Sequence, residues 1–520
     1  MHARAKSRWS LALLLALGAC RCGDGTALTT FFTDLSYTPD GRALVLEATD
    51  GLYVASPPTD DPRRLTTEHC TGSTTYALDC VRMAPDGGRL AALLRPEPQG
   101  EVDLFELHQW RFDELGEERA GKVAYGVIDA AYTPDGRELV YVRPKADQTG
   151  VAVYRLGPGE VEEALIPAIT LGAGDPGEAI GTVVLTSFGV AYPRVVDGQV
   201  ELWLRTFDGE LLDIGRLPAE CAGVSLAGCV YPSPDGTSLV WQEAKSGVIH
   251  VYRANRGLDL PLGQGYGFAF SRSGAFALRM GFSPEAAYVQ RMDTAALVRG
   301  AQAISAELSF DGETLARLVV ESKALGTARL FIGPSRQDER DNDYGVFAVP
   351  PVRPLFGTSV GLAEIDHGFT GDGRYVVVAE KGEGEGMASL VAVNAFTSER
   401  QALGELRCSG CCIVAPAGAL VVCTGEPSDA QSVGRPIDLF DPVTGKRTRT
   451  TERAIDMQPL NDGSGVAVMQ YLGEIPELLV VTKDGRSASL GDSVRCAVSP
   501  TGPQIARITS LGSLEVSALP

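Results

Sequence analysis

The chain has 520 residues, of which 44% are hydrophobic and 22% charged, and its formal net charge is −20 at pH 7. This composition is typical of a folded globular protein and excludes a long disordered chain. The acidic balance excludes long-range attraction to nucleic acid, which is therefore not an expected partner. The 60 glycines and 31 prolines favour many tight turns and short strands over long helices.

The N-terminus has the pattern of an export signal. A basic start precedes Leu11–Leu17, an apolar run too short for a membrane span. The run leads into Leu17-Gly18-Ala19-Cys20, which resembles the signal of bacterial lipoproteins, whose cysteine becomes the lipidated N-terminus. We therefore expect residues 1–19 to be a signal peptide and Cys20 to carry a lipid that holds the protein on a membrane. An ordinary secretory signal with an incidental cysteine is the alternative.

One short phrase recurs along the chain. In its best copies a Ser, Thr or Ala precedes Pro-Asp-Gly, and an apolar strand follows, as in Thr133–Val142. Proline presets φ, aspartate bonds to the local backbone and glycine takes the positive-φ position of a tight turn. A decayed copy at Ser187–Gly189 fills the widest gap, which makes eleven units. The turn glycines of the other ten are Gly41, Gly87, Gly136, Gly236, Gly274, Gly312, Gly373, Gly418, Gly463 and Gly502.

Each unit also contains a third apolar strand, and most have a weaker, more polar fourth strand. Four strands with a polar outer edge predict an all-β fold, a β-propeller of about eleven four-stranded repeats. The repeats resemble the TolB-type propeller repeat, whose hallmark is the Ser/Thr-Pro-Asp-Gly turn, over most of residues 35–519. Ser271–Gly274 departs from that pattern. The partner-binding amino-terminal domain of TolB has no counterpart here, so its partnership is not carried over.

Eleven blades exceed common single propellers, so the repeat count favours two propellers over one ring. We expect a lipid-anchored linker and closing strand over 20–33, a first propeller of about seven blades over 34–335, a connecting segment over 336–362 and about four blades over 363–520. A split near 205–230 stays open. The last unit lacks a fourth strand, and we predict that Leu28–Phe32 supplies it and closes a ring.

Ten cysteines remain once Cys20 is assigned to lipidation, and export places them in an oxidising compartment. Cys80 and Cys229 each stand seven residues before a turn glycine, with Cys70 and Cys221 shortly upstream. We therefore predict the disulfides Cys70–Cys80 and Cys221–Cys229 as staples of the loops between units.

The later cysteines are ambiguous. Cys408 and Cys411 form a Cys-x-x-Cys pair in the register of the earlier staples, whereas Cys412 and Cys423 flank a turn and could face each other across a hairpin. A disulfide is favoured over a redox or zinc site, because the stretch lacks a helix and a fourth ligand. The pairing stays open among Cys22, Cys408, Cys411, Cys412, Cys423 and Cys496.

Three other sequence features resemble parts of catalytic or metal sites, but the residues around them do not fit such sites. Gly357–Gly361 matches a serine nucleophile elbow, yet no α/β domain surrounds it, which favours a loop. Asp338–Gly345 misplaces the glycine of a calcium loop and is interpreted as a solvated loop. The five histidines are scattered, and His250 is interpreted as a packed strand residue. We therefore predict no catalytic residue, no metal and no cofactor.

The favoured function is a non-enzymatic scaffold that binds envelope proteins or a small ligand in the bacterial cell envelope. Arg21 follows the lipidated cysteine. In the lipoproteins that this signal resembles, an aspartate at that position is often linked to retention in the inner membrane, so Arg21 favours the outer membrane. The alternative is a propeller-type hydrolase or lyase acting on a polysaccharide or peptide, with carboxylates from several blades at one mouth. Three or more converging carboxylates would favour that enzyme.

Overall fold

The computed structural model describes residues 30–519, apart from 57, 60, 69–77, 100–101, 113–117, 146–149, 157–161, 170–182, 222–225, 227–228, 254–257, 272, 283–284, 293, 295, 323–326, 336–340, 349–359, 362–366, 384–386, 407–411, 426–433 and 472–474. These residues form antiparallel strands, together with short 3-10 turns at Leu78–Cys80 and Ala219–Cys221. No helix long and apolar enough to cross a bilayer occurs among them.

The first six units each form one four-stranded antiparallel sheet whose strands pair in chain order. Their strands are β1 (Phe32–Tyr37), β2 (Leu44–Ala48), β3 (Gly51–Ala55), β4 (Arg63–Thr66); β5 (Val81–Met83), β6 (Arg89–Gln99), β7 (Val102–Phe112), β8 (Glu118–Val127); β9 (Asp129–Tyr132), β10 (Leu139–Pro144), β11 (Val151–Leu156), β12 (Glu162–Ile169); β13 (Val184–Leu185), β14 (Gly189–Val196), β15 (Gln199–Thr206), β16 (Leu211–Leu217); β17 (Val230–Pro232), β18 (Ser238–Gln242), β19 (Val248–Arg253), β20 (Leu258–Gln264); β21 (Tyr266–Phe270), β22 (Phe276–Phe282), β23 (Glu285–Arg291) and β24 (Leu297–Gln302).

The last five units vary this plan. Unit 7 gains a short fifth strand, units 9 and 10 share the long strand β37 in one seven-stranded sheet, and unit 11 has three described strands. Their strands are β25 (Ser305–Leu308), β26 (Thr314–Ser322), β27 (Thr327–Pro334), β28 (Asn342–Ala348), β29 (Val360–Gly361); β30 (His367–Phe369), β31 (Tyr375–Lys381), β32 (Ala388–Asn394), β33 (Arg400–Leu406); β34 (Cys412–Val414), β35 (Val421–Thr424), β36 (Arg435–Asp441), β37 (Lys446–Pro459); β38 (Gly465–Tyr471), β39 (Pro476–Thr482), β40 (Ser487–Asp492); β41 (Arg495–Val498), β42 (Gln504–Ile508) and β43 (Leu514–Ala518).

Burial explains the strand order within a unit. The second and third strands are almost wholly apolar and buried, as in Leu44–Ala48 and Gly51–Ala55 of unit 1. The fourth strand, Arg63–Thr66, has only exposed and half-buried residues. A polar outermost strand protects the sheet edge from pairing with other chains, as the sequence pattern predicted.

Apolar clusters join each unit to the next. One cluster unites units 1, 2 and 3, and eight others each unite one further successive pair up to units 10 and 11. A last cluster joins unit 11 to unit 1, through Ala506, Ile508 and Leu514 against Leu44 and Leu46. The all-β propeller architecture predicted from the turn repeats is therefore confirmed, with eleven strand units.

The division into two propellers stays a prediction, and two contacts lie at the ends of the expected groups of blades. Units 7 and 8 share a buried core that includes Phe347 and Val376, across the expected boundary at 336–362. Units 11 and 1 are also packed together. Within the described residues, each apolar cluster therefore joins units that follow one another, with unit 11 followed by unit 1.

The N-terminal strand differs from the expectation at Phe32. Leu28 and Thr29 lie outside the described residues, but Phe32 begins β1, which pairs with β2 as the innermost strand of unit 1. Phe32–Tyr37 lead directly into the first turn, so they are required as its incoming strand. Thr30, Phe31 and Phe32, the described part of the predicted closing strand, therefore do not form an outer strand on unit 11.

Candidate functional site: the turn face and the inner strands

The repeated turn is built on a buried hydroxyl group. Thr133 Oγ1 donates a hydrogen bond to Asp135 Oδ1 (2.6 Å). Asp135 Oδ1 also accepts a hydrogen bond from the Arg137 amide (3.1 Å). Gly136 follows at φ 69°, the left-handed conformation that glycine tolerates best. The same hydroxyl-to-carboxylate bond joins Thr38 to Asp40, Ser233 to Asp235, Ser309 to Asp311 and Thr370 to Asp372.

Sequence reasoning assigned roles to the proline, aspartate and glycine of this turn and missed the hydroxyl. Thr38 and Thr133 are fully buried, and the Thr133 hydroxyl also accepts the Glu138 amide (3.1 Å). The Ser or Thr that precedes Pro-Asp-Gly was the available signal. Its side chain ties the two ends of the turn together, so the aspartate is held by its own turn.

Neighbouring turns contact one another at one end of the units, which we call the turn face. Thr501 Oγ donates to the Asp40 carbonyl (3.0 Å) between units 11 and 1. The Asp372 amide donates to the Gly418 carbonyl (3.0 Å) between units 8 and 9. A Cβ on Gly87 would lie 2.0 Å from the Asp40 carboxylate, so only glycine allows this approach between units 1 and 2. These contacts hold the turns in fixed relative positions.

The innermost strands carry charged groups that pair between neighbouring units. Arg82 of β5 forms an ion pair with Asp129 of β9 (3.0 Å). Arg495 of β41 lies 3.7 Å from Asp34 of β1. Both pairs are partly exposed, so their contribution to stability is modest. Their position on first strands shows that first strands meet first strands, as expected around a propeller axis.

The described turn aspartates are held by hydrogen bonds within their own turns. Each turn aspartate with a hydroxyl partner is engaged within its own unit, as Asp235 is by Ser233 (2.5 Å) and by the Thr237 amide (3.0 Å). Burial raises the pKa of Asp235, but these hydrogen bonds outweigh it and the pKa is lowered overall. Across the described ranges, no group of three or more His, Cys, Asp or Glu side chains could hold a metal ion.

Two disulfides join cysteines that are both described. Cys221 and Cys229 (Cα–Cα 6.2 Å) close the connection between units 4 and 5. Cys412 and Cys423 lie directly opposite each other on β34 and β35, with Cα atoms 4.1 Å apart. This cross-hairpin pairing was one of the arrangements that the sequence left open. Cys496 is a buried free thiol.

Several predicted positions fall outside the described residues. Cys80 is disulfide-bonded, and its expected partner Cys70 lies in an undescribed stretch. Cys20, Cys408 and Cys411 also lie outside the described residues. Their predicted lipidation and pairing therefore stay predictions.

The serine-elbow pattern ends in a strand. Gly357, Thr358 and Ser359 lie outside the described residues, but Val360 and Gly361 form β29 and pair with Ala306 and Ser305. This pairing fits the structural interpretation, because a nucleophile elbow requires a strand-to-helix turn.

The predicted packed position of His250 agrees with its surroundings. Its ring stacks on Trp241, with ring centroids 5.5 Å apart. His367, beside the elbow pattern, is fully buried in β30, and this burial lowers its pKa to about 4.

The acidic run at 338–345 is not wholly a solvated loop. Residues 338–340 lie outside the described ranges, but Asp341 forms ion pairs with Arg299 (2.5 Å) and Arg317 (2.7 Å), and its side chain is only 7% exposed. Asn342–Ala348 then forms the outer strand of unit 7. The solvated-loop interpretation is therefore wrong for Asp341. The local sequence did not indicate these ion pairs, because the two arginines stand 24 and 42 residues earlier in the chain.

Two equivalent turns on the turn face expose apolar side chains. In unit 8 the Asn394 carboxamide oxygen accepts the Phe396 amide (2.9 Å), and in unit 9 the Asp441 carboxylate accepts the Val443 amide (3.0 Å). Each turn ends four residues after its Asn or Asp in a positive-φ residue, Ser398 or Gly445. The shared geometry directs both apolar residues outward, and Phe396 is 70% exposed.

No protein-family model matches the chain, and no curated protein matches it. Among solved structures, a eukaryotic initiation factor is 10% identical over 90% of each chain, with a TM-score of 0.38. TolB from Acinetobacter baumannii is 13% identical over 60% of this chain and 79% of that chain (TM-score 0.26). The Myceliophteria thermophila Cps50 (Swd1) beta-propeller domain is 12% identical over 56% and 96% (TM-score 0.28).

Proposed function

We propose that this protein is a non-enzymatic, lipid-anchored propeller that acts as a protein-binding scaffold in the bacterial cell envelope. The observation that supports binding is the pair of equivalent turns in units 8 and 9. Phe396 is 70% exposed and Val443 is 55% exposed, on backbones fixed by hydrogen bonds. Exposed apolar side chains on a rigid frame favour partner binding, because little conformational freedom is lost on contact.

A third apolar side chain lies on the same face. Phe310 takes the proline position in the turn of unit 7 and is 47% exposed. Antiparallel pairing places the turn after a first strand and the turn after a third strand at the same end of a sheet. The turn face therefore offers Phe310, Phe396 and Val443 from three successive units.

Cross-linking in cells followed by mass spectrometry tests binding by this face. The double variant Phe396→Ser, Val443→Ser should lose the cross-links to partner proteins that the natural chain forms. Leu511→Ser is the matched control, since Leu511 is 80% exposed on a turn at the opposite end of unit 11. Cross-links that persist unchanged in the double variant would contradict the proposal.

The anchor is tested separately. The signal ending at Leu17-Gly18-Ala19-Cys20 supports a mature chain that begins at a lipidated Cys20. Mass spectrometry of the purified protein should show cleavage before Cys20 and the added mass of the lipid. Cys20→Ser should release the protein from the membrane fraction. An unmodified Cys20 in membrane-bound protein would refute the lipid anchor without bearing on the turn face.

A further inference from the structure

A cavity lies where β37 passes from the outer edge of unit 9 to the inner edge of unit 10. The β36–β37 ladder shifts register between Arg435 and Ile437, and the β37–β38 ladder shifts between Ala454 and Asp456. These irregularities open a space of about 540 Å³, within the size range of small-molecule sites. Its lining includes Arg435, Ile437, Ala454, Ile455, Asp456 and Met457.

The floor of this cavity is apolar. Ile437 and Ala454 are buried members of the core shared by units 9 and 10, and the half-buried Met457 packs against that core. Above these residues lie the half-buried Met457 and Ile455, which is 40% exposed, and a ligand with apolar groups would remove their hydrocarbon surface from water.

The rim carries one charge of each sign. Arg435 stands opposite Ala454 in the ladder, and Asp456 follows two residues later, beyond the bulge. Both are exposed. The Asp456 carboxylate accepts a hydrogen bond from the Met457 amide (2.8 Å), and within the described part of the chain neither Arg435 nor Asp456 belongs to an ion pair.

Two other arginines of the same sheet are already engaged. Arg447 and Arg449 on β37 both bind the buried Asp438, at 2.8 and 3.0 Å. Arg435 therefore differs from them in offering its guanidinium group to a ligand. A guanidinium group binds a carboxylate through two parallel hydrogen bonds, and a carboxylate such as Asp456 suits an ammonium group.

We propose that this cavity binds a short zwitterionic peptide with apolar side chains. Arg435 binds the terminal carboxylate, Asp456 binds the terminal ammonium group, and the peptide side chains cover Ile455 and Met457. A neutral apolar ligand would leave both rim charges without a partner, and a simple anion would face the Asp456 carboxylate. The site does not depend on the turn face or on the lipid anchor.

Isothermal titration calorimetry of the mature chain with the dipeptide Leu-Leu tests the proposal. We expect saturable one-site binding to the natural chain. N-acetyl-Leu-Leu-amide, which lacks both terminal charges, should bind several-fold more weakly. Leu-Leu should likewise bind several-fold more weakly to Arg435→Gln or Asp456→Asn, because each variant removes one charged partner of the peptide termini.

Arg374→Gln and Asp208→Asn are matched controls, since both residues are exposed and lie outside the cavity. Both controls should bind Leu-Leu like the natural chain, and all four variants should melt within a few degrees of it. An absence of saturable heat with the natural chain would overturn the proposal. Equal affinity for the blocked dipeptide, or unchanged affinity in both Arg435→Gln and Asp456→Asn, would overturn it as well.

Discussion

The backbone amide of Phe32 donates a hydrogen bond to the carbonyl oxygen of Gly512 (N···O 2.9 Å), which joins the first strand to a turn near the other end of the chain. The Phe31 ring packs at the same turn. A Cβ built on Gly512 would lie 2.3 Å from that ring, and Gly512 has φ 75°. Contact between units 11 and 1 therefore requires glycine at this position.

Gly512→Ala should lower the free energy of unfolding by more than the same change at Gly198. Both glycines have φ 75°, but a Cβ on Gly198 would meet no atom within 4 Å. Alanine in this conformation costs about 1–2 kcal/mol at either site. Displacing Phe31 adds roughly 1–3 kcal/mol at Gly512 only. Denaturant unfolding of the two variants measures the difference. Equal decreases in the free energy of unfolding would show that Phe31 does not stabilise the contact between units 11 and 1.

The fold was predictable because its unit repeats. Eleven copies of one turn, each followed by apolar strands, indicated eleven four-stranded units, and turn chemistry alone explains their aspartates and glycines. The closure was only partly predictable. The sequence indicated that the chain ends meet, but not that Phe32 would belong to the inner strand of unit 1. Strand order at a closing point depends on pairing between distant residues, which a single sequence does not show.

The site was less predictable than the fold, for the same reason. The cavity beside Arg435 and Asp456 arises from register shifts in β37. The sequence of β37 is typical of a polar fourth strand followed by a first strand and does not indicate these shifts. The equivalent turns at Phe396 and Val443 share an Asn or Asp two residues earlier, a local signal that could have identified them.

Asp341→Asn tests the buried ion pairs of unit 7. The substitution leaves Arg299 and Arg317, which are 10% and 13% exposed, without their shared counter-charge. Breaking a buried pair in this way costs about 3–5 kcal/mol. Asp343→Asn is the matched control two residues away, because Asp343 pairs with Arg329 and is 46% exposed. Asp343→Asn should lower the free energy of unfolding by less than about 1 kcal/mol.

Chemical denaturation at pH 7 compares the two variants. If Asp341→Asn costs no more than Asp343→Asn, Asp341 is solvated and the original interpretation of the acidic run is restored.

Stability should fall in acid partly through Asp438, which is 2% exposed. Burial raises the pKa of this carboxyl, but hydrogen bonds from Arg449 and Arg447 outweigh burial, and the pKa is lowered from its ordinary 3.8. A lowered pKa in the folded state contributes stability above pH 3.8 that is lost as pH falls through the folded value. Asp438→Asn should therefore lose stability at pH 7 and depend less on pH below about 4.

Unfolding free energies between pH 2 and 7 measure this slope. Asp208→Asn, an exposed change outside any described ion pair, is the control and should keep the slope of the natural chain. If Asp438→Asn and the natural chain lose stability in parallel as pH falls, Asp438 does not contribute to the acid sensitivity.

Cys496 should react with thiol reagents only after unfolding. It is 8% exposed, and burial raises the pKa of its thiol to about 12, with a smaller contribution from Asp456. At pH 8 almost no thiolate therefore forms in the folded protein, and the thiolate is the reactive species. Comparing the natural chain with Cys496→Ala under non-reducing conditions isolates this residue. We expect the two to give equal thiol counts when folded and to differ by one thiol in denaturant. A difference of one thiol already present in the folded protein would show that the contact between units 10 and 11 opens readily, because Cys496 lies in the core that joins them.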